Sequence, residues 1–217
     1  MDLAKRNKNN VISRWKKVHD SEREMIVYDS KYISRICGFL AGDGCLVESR
    51  GSIRFFPDDE SLIGPYVEAM KKVYNKIPSV IKKKNHYEVS ITSKVMFEDL
   101  VKYCKFSTKK WNLPLEIFKS DEDIIEWIRA FFDAEAHVNM HAKNIKVSSI
   151  NKDGLIEVKE VLIKLGIHSK IYEYSPKNER WSTNYLLIIG RKADLLKYRE
   201  NIGFNHKSKL SKLYKLA

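Results

Sequence analysis

Two carboxylates stand at the ends of two similar apolar stretches. Asp43 is near the end of the stretch 36–44, and Glu135 is near the end of the stretch 128–136. Each stretch has the composition of a buried helix. In each, two small residues stand four positions apart, at Gly38 and Gly42 and at Ala130 and Ala134. This spacing places both small residues on one helical face, so two such helices can approach each other closely.

The close approach would bring Asp43 and Glu135 together at one end of the helix pair. The partial negative charge of a helix C-terminus disfavours an acid there by roughly 0.3–1 kcal/mol. Two neighbouring carboxylates also repel each other. A divalent metal ion between them would relieve both effects. The sequence therefore predicts a carboxylate pair that holds a metal ion.

The composition indicates a polyanionic partner. The 217 residues include 40 Lys and Arg against 28 Asp and Glu, a net charge of +12. This balance favours nucleic acid first and an anionic membrane second. Three cysteines without a CxxC pair fit neither a disulfide framework nor a zinc cluster. No apolar run reaches the ~18 residues of a membrane span, and the N-terminus lacks a signal-peptide core. We therefore expect no membrane partner and an intracellular location, the cytoplasm in a prokaryote, with an organelle left open.

The pattern of elements around the two stretches repeats. After each acid the residues predict two strands, a helix, two strands and a helix. The helix after the first strand pair is expected over 57–75. Each half closes on a similar segment, Phe106-Ser107-Thr108-Lys109 in the first and Phe204-Asn205-His206-Lys207 in the second. These observations indicate an internal duplication.

The duplication predicts a division into a first half, 30–114, and a second half, 115–217, behind a basic extension, 1–29. For the extension a frayed arm, a short helix and an added phosphate contact all remain open, with disorder favoured for its first ten residues.

The chain resembles the LAGLIDADG homing endonucleases. The resemblance is carried by Gly42-Asp43-Gly44 in the first copy and by the stretch from Phe131 to Ala136 in the second. It implies an α+β fold of two αββαββα halves related by a pseudo-two-fold axis, with saddle-shaped antiparallel sheets over a central helix pair. Two motifs in one chain imply a monomer. Ala41 stands where the family has its first Asp, and Ala136 replaces the closing Gly.

The resemblance also implies a set of catalytic residues. Asp43 and Glu135, with the carbonyls of Gly42 and Ala134, would hold Mg²⁺ or another divalent cation. One basic residue in each half, Lys109 and Lys207, would orient water or stabilise charge near the scissile phosphates.

The two sheets would recognise DNA through their open faces, in the major groove, over a loosely palindromic site of roughly 20 base pairs. The expected DNA-binding residues are Ser49, Arg54, Lys82, Lys84, His86, Glu88, Asn139, His141, Lys143, Lys146 and Ser148.

The leading hypothesis is a site-specific endonuclease of the intron-encoded type that cuts double-stranded DNA. The first alternative is a maturase that binds intron RNA, which would need the basic surface but not the two acids. The second is a regulator that binds DNA without cutting it. The difference between Gly-Asp-Gly in one copy and Ala-Glu-Ala in the other predicts that the two DNA strands are cut at different rates.

Overall fold

The computed structural model describes residues 3–107, 109–176 and 182–216, with side chains from residue 13 onward. After the helix α1 (Leu3–Glu24), the first half contains α2 (Ser30–Asp43), β1 (Gly44–Val47), β2 (Ser52–Phe55), α3 (Ile63–Tyr74), β3 (Ser79–Lys82), β4 (Tyr87–Thr92) and α4 (Lys94–Leu100). The second half contains α5 (Asp121–Glu135), β5 (His137–Asn139), β6 (Asn144–Ser149), α6 (Lys152–Lys164), β7 (Lys170–Tyr174), β8 (Asn184–Ile189), α7 (Lys192–Asn201) and α8 (Lys207–Leu216). Short 3-10 turns lie at 48–50, 60–62 and 115–117.

The two halves have the same sheet topology. The strand order is β1-β2-β4-β3 in one sheet and β5-β6-β8-β7 in the other, and every pairing is antiparallel. In β4 the core residue Val89 alternates with the partly exposed residues Glu88 and Ser90, as the sequence predicts. The duplicated α+β fold is therefore confirmed.

Each motif helix begins at a side-chain cap. The Asp29 carboxylate accepts a hydrogen bond from the Tyr32 amide at the start of α2. Ser120 and Asp123 form a reciprocal capping box at the start of α5. Such caps satisfy backbone amides that have no partner within the helix. Both helices then run without a break to their acids.

Small residues allow α2 and α5 to pack backbone against backbone. A Cβ atom added to Gly38 would lie 2.4 Å from the Trp127 carbonyl oxygen and 2.9 Å from the Ala130 Cβ. At Gly42 it would lie 2.5 Å from the Ala134 Cβ. All three distances are well below van der Waals contact. The four small residues predicted from their spacing are therefore the interface of the helix pair.

Opposite charges also join the two motif helices. Lys31 pairs with Glu122 at 2.5 Å, and Arg35 pairs with Glu126 at 2.7 Å. The second pair is largely buried, and Glu126 also accepts a hydrogen bond from Arg129 on its own helix. Positive charge on α2 thus meets negative charge on α5.

Three segments differ from the sequence-based expectation. The start of the chain is helical from Leu3 rather than disordered. The helix expected over 57–75 begins only at Ile63, because residues 60–62 form a separate 3-10 turn capped by Asp59. The helix α8 was not predicted, since its lysine-rich composition hides its apolar positions Leu210 and Leu213. Within the part of the chain that the structure describes, no helix is long and apolar enough to cross a membrane.

Candidate active site

The two predicted acids are the last residues of the paired helices. Asp43 ends α2 and Glu135 ends α5. The last turns are in contact, because a Cβ on Gly42 would lie 3.3 Å from the Glu135 Cγ. The chain leaves each acid directly into the first strand of its half, β1 or β5. The acids therefore lie where the helix pair meets both sheets.

The surroundings disfavour the charged form of both acids. Burial raises the pKa of Asp43, and the neighbouring Asp58 raises it further. The pKa of Glu135 is raised to about 7, first by loss of hydration and then by the charge of Asp43. Glu135 still faces water, which screens part of this effect. The directions of both shifts are those expected of an acid pair that binds a cation.

A lysine that the sequence analysis missed acts on both acids. The Lys209 ammonium donates hydrogen bonds to the carbonyl oxygens of Phe132 at 3.3 Å, Asp133 at 2.5 Å and Ala134 at 3.0 Å. Its charge opposes the pKa increase at Asp43 and at Glu135. Burial lowers the pKa of Lys209 itself. Lys209 was missed because it lies on α8, a helix that its lysine-rich sequence did not predict.

Asp133 fixes the backbone turn that leads into α8. Its buried carboxylate accepts hydrogen bonds from the Asn205 amide at 2.9 Å and the His206 amide at 3.0 Å, and from the Asn205 side chain at 2.9 Å. Burial raises the pKa of Asp133 to about 6, and these hydrogen bonds oppose the rise. These contacts give Asp133 a structural role.

The two lysines predicted from the duplication are both exposed. Lys207 is exposed, its amide donates to the Ser61 hydroxyl at 3.3 Å, and its charge acts on Asp59. Lys109 is also exposed, and the preceding Thr108 lies outside the described residues. In the part of the chain that the structure describes, Lys209 is the lysine whose charge acts on the acids. A catalytic role for Lys109 or Lys207 stays a prediction.

The donor atoms at the helix ends fit a hard divalent cation. The carboxylates of Asp43 and Glu135 and the carbonyl of Gly42 are the oxygen ligands that Mg²⁺ prefers. Gly42 and Glu135 also line an open cavity of about 400 Å³. Among the described residues no group of three His, Cys, Asp or Glu side chains could hold a metal. A bound ion would therefore complete its shell with carbonyl, water and phosphate oxygens. The predicted ligand Ala134 differs, since its carbonyl already binds the Lys209 ammonium.

The predicted DNA-binding residues of the first half are all exposed or partly exposed. Arg54 and Glu88 are diagonal neighbours on the open face of the first sheet, with their charged atoms 3.9 Å apart. Lys82 instead pairs with Tyr87, and its ammonium lies 5.7 Å from that ring. Directly opposed residues share one face of a sheet, so Lys82 and Tyr87 lie on the same face. The Tyr87 hydroxyl donates a hydrogen bond to Glu60, just before α3, so this is the helix side of the sheet. The other three are exposed, Ser49 in the turn after β1 and Lys84 and His86 in the β3–β4 turn.

In the second sheet the predicted residues divide between the turn and the strands. The Asn139 side chain accepts hydrogen bonds from the His141 and Ala142 amides, so it closes the β5–β6 turn. Lys143 lies in this turn with a positive φ of 49°. Ser148 on β6 hydrogen bonds with Asn184.

Lys146 belongs to a row of opposed residues that crosses the whole second sheet. The row consists of His137, Lys146, Ile188 and Lys170. His137, Lys170 and Ile188 were not predicted as DNA-binding residues. The register between neighbouring strands places these residues beside Lys146. The alternation of polar and apolar residues within one strand does not determine that register.

Part of the chain matches a known family model. Residues 122–203 match the family described as "LAGLIDADG-like domain". The chain is 27% identical over 187 residues to glutamine–fructose-6-phosphate aminotransferase of Methanocaldococcus jannaschii, covering 83% of this chain and 17% of the relative. It is 28% identical over 183 residues to the replication factor C small subunit of the same organism, covering 82% and 10%. The chain therefore spans only a small part of these curated relatives.

Two solved structures have a similar fold. The homing endonuclease I-DmoI in complex with DNA and Mn matches with a TM-score of 0.60 and 19% identity, covering 80% of this chain and 96% of the other. The N-terminal LAGLIDADG domain of DUF199/WhiA matches with a TM-score of 0.59 and 18% identity, covering 88% and 89%. At these identities the matches show the fold alone.

Proposed function

We propose that this chain is a LAGLIDADG protein and a site-specific endonuclease, because a LAGLIDADG family model matches residues 122–203 and the fold resembles that of LAGLIDADG proteins. Its substrate is double-stranded DNA, and its reaction is the hydrolysis of one phosphodiester bond in each strand. The observation that carries the proposal is the pairing of Asp43 and Glu135 at adjoining helix ends. Loss of hydration and the charge of Asp58 raise the pKa of Asp43, and loss of hydration and the charge of Asp43 raise the pKa of Glu135.

The side chains at the helix ends divide the chemistry between them. When bound, Mg²⁺ or a similar cation would supply an activated water and stabilise charge on the leaving oxygen. Asp43, Glu135 and the carbonyl of Gly42 would hold that cation. Lys209 keeps a buried ammonium beside Ala134. Its three N–H groups already donate to carbonyl oxygens, so it would act on a phosphate through its charge as negative charge develops there. Hydrolysis then joins the oxygen of water to phosphorus and breaks the bond to the leaving oxygen.

The charge of the chain and its open sheet faces support a DNA partner. The net charge of +12 favours contact with phosphates. The two sheets carry polar and basic side chains, and their strands β1 and β5 follow the two acids in sequence. A protein that neutralises six to ten phosphates loses about 10³–10⁵ in affinity between 50 and 200 mM salt. We expect a salt dependence of this size for the target DNA.

The two halves are suited to work as a monomer. Lys31 and Arg35 on α2 meet Glu122 and Glu126 on α5. Two copies of the first half would instead bring like charges together at this interface. The complementary pairs support one chain that contains both halves of the site.

The context of the relatives supports a mobile-element origin. The matched segment makes up 17% of an aminotransferase and 10% of a replication factor. A segment shared by proteins with such different named activities is expected of an inserted element rather than of either activity. We therefore propose that the DNA target is the insertion site of the element that encodes this chain, as in intron homing.

A second candidate function is DNA binding without cleavage. The Lys209 ammonium already binds the Ala134 carbonyl and offsets the charge of both acids, so the site has a cation of its own. Under this alternative the protein binds its target tightly and leaves it intact.

A plasmid assay separates the two functions. A supercoiled plasmid carries the joined genomic flanks of the coding element, and a control plasmid carries the same flanks in scrambled order. Endonuclease activity predicts linear product from the first plasmid in Mg²⁺ and none in EDTA or from the control. Specific binding with no linear or nicked product in Mg²⁺ would contradict the endonuclease and favour the second candidate.

A further inference from the structure

The two motif helices differ at the position two residues before each acid. In the second half this position is Asp133, whose carboxylate binds the amides of Asn205 and His206. In the first half the same position is Ala41. A methyl group accepts no hydrogen bond, so Ala41 cannot hold the corresponding segment near Ser107. The segment in the first half is held by other contacts, since the Asn112 side chain accepts a hydrogen bond from the Lys105 amide and Glu157 accepts one from the Leu113 amide.

The anchored turn determines where Lys209 lies. The helix α8 begins at Lys207, directly after the two amides that Asp133 binds. Lys209 on its first turn then reaches the last carbonyls of α5. A lysine side chain has several rotatable bonds, so its ammonium is fixed only if its backbone is fixed. Asp133 supplies that fixed point.

The first half places a tryptophan where the second half has Lys209. Matching Phe106 to Phe204 puts Trp111 opposite Lys209. Trp111 is buried, with its ring 4.7 Å from Phe131, and its carbonyl accepts a hydrogen bond from the Asn151 side chain. Like Lys209 in its own half, Trp111 adjoins the end of a motif helix, since it lines the 400 Å³ cavity together with Ala41 and Gly42.

We propose that Asp133 is a positioning residue that holds the turn carrying Lys209. At the matching positions the first half has Ala41 and Trp111, so it has neither this carboxylate nor this ammonium, and the site is one-sided. This inference rests on the proposed nuclease function. The pseudo-two-fold axis relates the two expected positions of the scissile phosphates, but their surroundings differ. One phosphate would lie near Lys209, and the other would lie near the open cavity. One strand is therefore cut faster, and nicked DNA accumulates before the double-strand break.

Strand-resolved cleavage tests the inference. The probe is a duplex of the joined genomic flanks, labelled separately on each strand. Wild-type protein should cut one strand at least tenfold faster. Asp133→Ala should slow that strand by about 100-fold, the effect of misplacing a catalytic group by about 1 Å, and change the other strand little. Asp133→Asn keeps one acceptor oxygen and should fall between the two. Equal loss on both strands, or equal wild-type rates, would overturn the one-sided site.

Asp123→Ala is the matched control for folding. Asp123 is a buried acid on the same helix and also accepts two backbone hydrogen bonds, from the amides of Lys119 and Ser120 at 2.8 and 3.0 Å, but at the opposite end. This variant should lose stability while keeping the wild-type ratio of strand rates. A changed ratio in Asp123→Ala would show that the ratio reports stability alone, and would overturn the role of Asp133.

Lysine acetylation tests the position of Lys209 without DNA. The whole protein is treated briefly with acetic anhydride, and modified lysines are quantified by mass spectrometry. Lys209 should react about tenfold more slowly than the exposed Lys207 in the wild type, and the difference should largely vanish in Asp133→Ala because the turn opens. Protection lost in Asp133→Ala, without cleavage by wild-type protein, would refute the nuclease function but keep the positioning role. Protection unchanged in Asp133→Ala would overturn the positioning role, whatever the cleavage result.

Discussion

Replacing Gly38 by alanine should force the two motif helices apart. The added Cβ would lie 2.4 Å from the Trp127 carbonyl oxygen and 2.9 Å from the Ala130 Cβ. Ordinary contacts begin near 3.4 Å, so the helices must separate by about 1 Å or bend. Overpacking of this kind costs about 1–3 kcal/mol. Alanine recovers up to about 1 kcal/mol of this through its higher helix propensity. We expect a net loss of about 2 kcal/mol for Gly38→Ala.

Thermal unfolding followed by circular dichroism measures this loss. For a chain of this length, 1 kcal/mol shifts Tm by about 2–4 °C, so Gly38→Ala should lower Tm by about 4–8 °C. Gly64→Ala is the matched control. Gly64 lies in the first turn of α3, and its added Cβ would meet nothing within 4 Å. The control should keep or slightly raise Tm. If Gly38→Ala behaved like Gly64→Ala, the close packing of α2 against α5 would be refuted.

Two further predictions concern ion pairs away from the acids. Glu126→Ala removes one partner from each of two arginines, Arg35 and Arg129, while Arg35 keeps Glu68 at 2.7 Å, so the variant should cost about 1.5–3 kcal/mol in urea unfolding. The double variant Arg35→Met/Glu126→Leu should recover most of that loss, and failure to recover would contradict the pairing argument. The second prediction concerns Asp194, whose pKa is lowered to about 2 by hydrogen bonds from Arg191. A lowered carboxyl pKa stabilises the fold above pH ~4, and this stability is lost as the pH falls through 2. The stability difference between wild type and Asp194→Asn, measured by urea unfolding, should therefore shrink from pH 5 to pH 2. A constant difference would contradict the pairing.

Periodicity and spacing were sufficient to predict the elements that hold the acids. The motif helices end at Asp43 and Glu135, and α7 spans 192–201, as their patterns indicate. Apolar alternation likewise identified the covered face of β4 through Val89. In these segments local sequence and tertiary packing favour the same structure, which makes prediction from one sequence possible.

Other features depend on contacts between distant residues. Lys209 reaches the acids because Asp133 binds the turn before α8, a contact that joins residues far apart in sequence. Sequence matching therefore pointed to Lys109 and Lys207 and did not find Lys209. Lys82 lies on the helix side of its sheet because of its register with Tyr87, which strand composition does not determine.

Single-turnover cleavage by Asp43→Asn and Glu135→Gln most directly tests the central claim that the paired acids cut DNA. Each substitution keeps the size of the side chain and removes its charge. The substrate is the duplex of joined genomic flanks in Mg²⁺, with binding measured in parallel. We predict that both variants bind this duplex at least as tightly as the wild type, because repulsion between the acids is relieved, and leave it uncut. Cleavage by both variants at the wild-type rate would contradict the account.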